Sequence, residues 1–194
     1  MIKYYWFIRS LVYGLFFGKF SFPSYIGKPI FIRNFKRIFI GEKVRIMPNA
    51  RIEVLDRNSS IVFENNISIA QNLHIVSGGN QELRIGKNST FSANVFITNV
   101  DHEYQDIDIH VMEQKLIFKK TQIGENCFIG YGAVIQAGTI LGKQCIVGSN
   151  AVVRGHFPDY SVIVGVPARI VKRYDEKSAA WRKTNKKGEF TDEI

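Results

Sequence analysis

A chain of 194 residues with 45% apolar side chains can bury the core of one ordered domain, which excludes a disordered or low-complexity polypeptide. Its formal net charge of +9 is uneven: residues 1–41 hold seven cations and no acid, leaving +2 for the other 153 residues. A basic stripe through the folded body is therefore missing, and no nucleic-acid partner is expected. The N-terminal excess fits either an anionic membrane surface or a solvated basic face with no partner.

Residues 1–22 read MIKYYWFIRSLVYGLFFGKFSF. Crossing a bilayer takes about 20 predominantly apolar residues, and Arg9 and Lys19 interrupt this run. It also lacks the small-residue cleavage site of a signal peptide. The expectation is an amphipathic or interfacial helix. It either associates peripherally with a membrane or folds as an aromatic cap on the domain, and one helix can do both.

From residue 40 onward a sixfold period dominates. Ile123, Ile129, Ile135, Leu141, Val147 and Val153 recur at every sixth position, and Gly follows at 124, 130, 142 and 148. A helix needs apolar residues at i, i+3, i+4 and i+7, which this spacing does not supply. A short strand with an inward aliphatic residue, then a small residue at a tight bend, does fit. Three such units close a triangular coil, and coils stack as parallel strands about 4.8 Å apart. The same period holds at Ile40, Ile46 and Ile52, at Phe63, Ile69 and Ile75, and at Ile85, Phe91 and Ile97. It slips between 52 and 63, between 75 and 85, and most clearly between 97 and 117. The expectation is an all-β chain of about six coils over residues 40–171, a solenoid that needs covered ends. Residues 1–39 would cover one end. Residues 172–194, with Tyr174, Ala179, Ala180 and Trp181 among cations, read as a C-terminal helix and tail over the other. Cys127 and Cys145 lie 18 residues apart, one coil, at small inward positions. They read as core thiols, reduced, in a cytoplasmic protein.

The stretch IGENCFIGYGAVIQAGTILGKQCIVGSNAVVRGHFPDYSVIVGVPARIVKR, residues 123–173, resembles the hexapeptide-repeat acyltransferases, and its ending VGVPARIVKR is similar to sugar and antibiotic acetyltransferases of that family. The resemblance covers roughly residues 40–173. It implies a left-handed parallel β-helix, a homotrimer, and acetyl-CoA as co-substrate in a groove between subunits. By position it implies CoA contacts from Tyr131, Ser149, Arg154, Val166, Pro167, Ala168, Arg169 and Lys172. The run Arg154–Gly155–His156 departs from the family's usual residues there.

Acetyl transfer needs a base for the acceptor hydroxyl, and histidine is suited to that work near neutral pH. Of His74, His102, His110 and His156, His102 stands out. It closes the hexapeptide that begins at Ile97, and an insertion, residues 103–116, breaks the repeat at once. A long loop leaving a rigid solenoid is where a site is expected. FSANVFITNVDH also resembles the segment that carries the catalytic histidine of galactoside and maltose acetyltransferases, with His102 at that place. Asn72, Asp101 and Tyr104 are the candidate acceptor contacts.

These readings point to O-acetylation of a sugar hydroxyl in bacterial surface polysaccharide. The alternative is N-acetylation of an amino sugar or a small antibiotic. A zinc enzyme on the same scaffold would need three converging imidazoles, and only His102 and His110 lie close in sequence, so no metal is expected. A non-catalytic scaffold would be indifferent to His102.

Overall fold

The computed structural model describes residues 2–185 and 188–191, and is nearly all β, a parallel solenoid with one N-terminal helix. Its strands lie on three faces. The first face stacks Lys19–Phe20, Ile38–Ile40, Ser60–Phe63, Glu82–Ile85, Gln122–Ile123, Ile140–Leu141 and His156–Phe157. The second stacks Tyr25–Ile26, Arg45–Ile46, Ser68–Ile69, Thr90–Phe91, Phe128–Ile129, Ile146–Val147 and Ser161–Gly165. The third stacks Phe31–Arg33, Arg51–Val54, His74–Ser77, Phe96–Thr98, Val134–Ile135 and Val152–Val153.

The sixfold period is the inward column of each face. Phe63 pairs with Ile85, Ile85 with Ile123, and Ile123 with Leu141. Ile69, Phe91 and Ile129 stack in the same way on the second face, and Ile75, Ile97 and Ile135 on the third. These side chains are solvent-free or nearly so, each contributing roughly 1.5–3 kcal/mol of transfer free energy. Cys127 and Cys145 are free thiols buried in the same core. Donation of the Cys127 S–H to the neighbouring Cys145 sulfur, and burial, push the Cys127 thiol far above its usual range.

The corners explain the small residues. At the edge between the first and second faces, the N–H of Gly86 donates to Ile123 O and that of Gly124 to Leu141 O, each at 2.9 Å. A Cβ on Gly86 would meet the backbone of Gly124 and Glu125, and one on Gly124 the backbone of Gly142. Asn66, Asn88 and Asn126 turn this edge, and Asn49, Asn72, Asn94 and Asn150 turn the next, all at positive φ. Asparagine tolerates that conformation better than other residues with a side chain.

All three slips of the period fall on the edge where the third face returns to the first. Residues 55–59, 78–81 and 99–121 lengthen successive coils there. The other two edges keep the hexapeptide spacing, so the core columns stay in register while this edge carries the extra chain.

Both ends are closed, with two differences from the sequence reading. The helix α1, Ile2–Gly14, caps the first coil: Arg9 donates to Ile26 O at 3.1 Å, and Ser10 Oγ accepts from Ile26 N and donates to Trp6 O. Phe17 is buried edge-on against Phe20 and Phe35. The solenoid itself begins at Lys19, so much of the stretch assigned to a cap before residue 40 is a coil.

At the far end there is no C-terminal helix among the described residues. Ala168–Asp175 returns antiparallel along Ser161–Gly165, and Ala180–Lys183 pairs with it in turn. The last second-face strand would otherwise leave its edge open. Pairing that edge outweighs the helix propensity of Ala179 and Ala180. Residues 186–187 and 192–194 of the expected tail lie outside the described residues.

Candidate active site

After Ile97 the chain leaves the third face. Val100–His102 runs antiparallel to Leu116–Phe118, with His102 opposite Leu116, forming the base of an arm. Asn99, fully buried, anchors this base: its Nδ2 donates to Gly78 O at 3.0 Å and its Oδ1 accepts from Gly78 N at 2.9 Å. The ring of Phe118 lies on Gly78 and Gly79, where a Cβ would collide with it. The earlier insertion of 78–81 thus supplies the seat for the larger one. Further out, the Gln114 side chain binds the backbone of Asp106 and Ile109 and closes the tip. His110 Nδ1 accepts from Met112 N, capping the short 3-10 turn Val111–Glu113.

His102 sits at the arm's root, half-buried. Its backbone N–H donates to Asp101 Oδ1 at 3.0 Å. Asp101 Oδ2 accepts from Arg154 Nη2 at 3.2 Å, from two coils away. Both side chains of that ion pair are about half exposed, so it contributes little to stability. It does fix which way the Asp101 carboxylate faces. His102 Nδ1 is buried and has no hydrogen-bond partner. An unpaired buried polar atom costs on the order of 1–3 kcal/mol. Tyr104 projects from the arm, 73% exposed.

The remaining site residues line a different edge, where the second face meets the third. Asn72, Tyr131, Ser149, Val166 and Pro167 rise along it coil by coil. Asn72 Nδ2 donates to Asn94 Oδ1, and Asn94 Nδ2 to the Tyr131 hydroxyl. Val166 is 71% exposed, whereas Ala168 is buried. Arg169 and Lys172 are exposed on the returning strand beside Val164 and Val162.

The structure therefore brings Asp101, His102 and Arg154 together on one edge and most of the expected CoA contacts on another, one face of the prism away. Arg154 belongs with the histidine and not with Tyr131 and Ser149. Its phase carried that signal: it directly follows the inward residue of the third face, whereas Tyr131 and Ser149 follow that of the second. Asn94 was not singled out from sequence, although it stands 22 residues after Asn72 at the equivalent place on the next coil.

His74 is a surface element of the third face. It packs edge-on against Phe96, with Nε2 3.5 Å from Glu53, which Arg51 also grips. Burial first, and Arg51 second, push its imidazole below the usual pKa. The hydrogen bond from Arg51 holds the Glu53 carboxyl below its own. In both cases the folded chain binds fewer protons than the unfolded one, so acid weakens the fold. Melting temperature should fall as pH drops below about 6.5 through His74, then further below about 4.5 through Glu53. His74→Asn should remove the upper part of that decline; an unchanged profile would exclude His74 as its source.

Among the described residues no group of three or more His, Cys, Asp or Glu is arranged to hold a metal.

The family described as "Bacterial transferase hexapeptide (six repeats)" matches residues 120–155. The Escherichia coli K12 protein WbbJ, named for lipopolysaccharide-biosynthesis O-acetyl transfer, is 31% identical over 166 residues, covering 80% of this chain and 81% of that one. This chain belongs to the hexapeptide-repeat acyltransferases. Its enzymatic class is therefore acyl transfer, and its relatives carry the name acetyltransferase. A Mycobacterium tuberculosis acetyltransferase, Rv3034c, is 38% identical over 104 residues, 52% of this chain and 35% of its own length. Among solved structures, the N-acyltransferase AntD of Bacillus cereus, in complex with dTDP and 3-hydroxybutyryl-CoA, superposes with a TM-score of 0.72 at 18% identity, over 88% of this chain and 90% of its own. A maltose O-acetyltransferase from Clostridium difficile 630 does so with a TM-score of 0.60 at 20% identity, over 87% and 75%. These two likenesses establish the shared coil.

Proposed function

We propose that this acetyltransferase moves the acetyl group of acetyl-CoA to a sugar hydroxyl, with His102 as general base, in the building of a bacterial surface polysaccharide. The observation that carries the reading is the place of His102, half-buried at the root of an acid-bearing arm beside Asp101 and Arg154. The acceptor hydroxyl gives its proton to His102 as its oxygen attacks the thioester carbon. The tetrahedral intermediate then collapses, and the CoA sulfur leaves with that proton. Asp101, held by Arg154, and Tyr104 lie where they can orient the acceptor.

Acetyl-CoA binding is assigned to the edge of Tyr131, Ser149, Val166, Pro167 and Ala168, with Arg169 and Lys172 toward its phosphates. That edge and His102 are a face apart in one chain. A homotrimer resolves the separation, because a neighbour's edge can lie against the arm of the next copy. The N-acyltransferase AntD has been solved with dTDP-4-amino-4,6-dideoxyglucose and coenzyme A, which supports a glycosyl acceptor for this chain as well. The apolar, basic N-terminal end supports an acceptor at the cytoplasmic face of a membrane.

The test is release of free CoA from acetyl-CoA across a panel of sugars, sugar nucleotides, lipid-linked saccharides and antibiotics, followed by treatment of the product with hydroxylamine. An ester, cleaved by hydroxylamine, is expected on a glycan acceptor. An amide product would overturn the O-transfer reading in favour of amino-sugar or antibiotic N-acetylation.

A further inference from the structure

The helix α1 is apolar on both its inward and its outward side. Inward, Trp6 and Tyr13 pack on Tyr25 and Phe35, and Arg9 and Ser10 hydrogen-bond to the first coil. Its outward side carries Tyr4, Tyr5, Ile8, Leu11 and Val12, between 54% and 74% exposed. At 100° per residue these fall within an arc of about 120°. A helix that is apolar all round is normally buried, and this one is covered on one side only. The apolar surface continues onto the first coil, where Phe22, 65% exposed, packs edge-on against Phe7. On the other flank Phe16 meets Phe35.

The charges around this surface have one sign. Lys19, Lys28, Arg33 and Lys36 are exposed on the same end of the solenoid, and residues 1–41 contain no acid. A second copy of this surface would bring like charges together, which disfavours self-association. An anionic lipid surface offers both complements at once: acyl chains for the stripe and headgroups for the cations. With 13 residues the helix is about 20 Å long, against a hydrocarbon core of about 30 Å. None of the described helices is long and apolar enough to cross a membrane, so the contact is interfacial.

We propose that the outward face of α1, ringed by the cations of the first coil, docks this enzyme flat on an anionic phospholipid surface. This deepens the membrane-face reading given above. The homotrimer proposed there sets three such faces at one height along its axis, so that three weak contacts act together.

The experiment is cosedimentation of the full chain with phosphatidylglycerol–phosphatidylcholine vesicles and with pure phosphatidylcholine vesicles, without acetyl-CoA or acceptor. Its failure therefore leaves the acetyl-transfer assay untouched. Binding is expected on the anionic vesicles only, weakening as salt rises from about 0.05 to about 0.5 M. The double variant Ile8→Glu, Leu11→Glu should lose roughly tenfold or more of the bound fraction while keeping its melting temperature and mass. The variant Lys19→Glu, Lys28→Glu, Lys36→Glu, which leaves the stripe intact, should lose the preference for anionic lipid. A wild-type chain that stays in the supernatant with both vesicles overturns the proposal. So does equal binding to both, or a wild-type assembly larger than that of the double variant, which would make the face a contact between copies.

Discussion

His102→Ala should lower kcat by roughly 10²–10⁴ while leaving acetyl-CoA binding close to wild type. The imidazole stands half-buried at the root of the arm, beside the Asp101–Arg154 pair. The residues assigned to CoA lie on another edge, so removing the ring should not disturb them. Single-turnover kinetics with a sugar acceptor, beside a direct titration of acetyl-CoA, separates the two effects. An unchanged rate would remove His102 as the base. A loss of CoA affinity equal to the loss of rate would make it a binding residue instead.

The trimer reading adds a second arm to this test. His102→Ala protomers coexpressed with Ser149→Trp protomers should regain part of the activity. Some mixed trimers then pair an intact histidine with an intact CoA edge. A site confined to single chains would regain nothing.

Gly124→Val should destabilise the fold by about 3 kcal/mol or more, the upper end of what overpacking costs. Gly86, Gly124 and Gly142 are stacked, each within hydrogen-bond reach of the next coil's backbone. A Cβ at 124 would strike the carbonyl of Gly142, which is backbone and cannot rotate away. Relief requires separating two coils, and that breaks the parallel ladder on both neighbouring faces. Gly14→Ala is the control. Its Cβ would meet Phe20 at an ordinary 3.6 Å, within a helix that alanine favours. Thermal melts of the two variants should differ in sign as well as size. A Gly124→Val protein that melts like wild type would mean the coils yield far more easily than their ladder suggests.

The columns were legible in the sequence because one side chain in six must point inward whatever happens at the surface. Even the slips were readable, although only the structure gathers them on one edge. The first coil was missed. Phe20, Ile26 and Ile32 keep the period, but Phe22, Ile30 and Phe31 are exposed apolar residues beside them and blur it. The C-terminal composition favours a helix, and the open strand edge that decides for strands is a tertiary fact. In the candidate site, His102 could be proposed from the broken repeat and a family resemblance, and the second edge from that resemblance. Their separation within one chain follows from phase, because Ile97 belongs to the third face and Ile129 to the second, whereas a repeat leaves the lateral arrangement of copies unstated. The Asp101–Arg154 contact joins residues 53 apart in sequence and has no local signal beyond the phase of Arg154.

Among the described residues, beyond its root the arm hydrogen-bonds only to itself: residues 103–115 pair among themselves. Three extra lengths of chain leave the same edge, and the columns beneath them stay in step throughout. The arm is attached through Asn99 and Phe118, which rest on Gly78 and Gly79. What lies beyond that attachment is interchangeable, like a tool held in a fixed chuck. Grafting another enzyme's loop between His102 and Leu116 should change which hydroxyl is presented to the histidine without altering the melting of the coil.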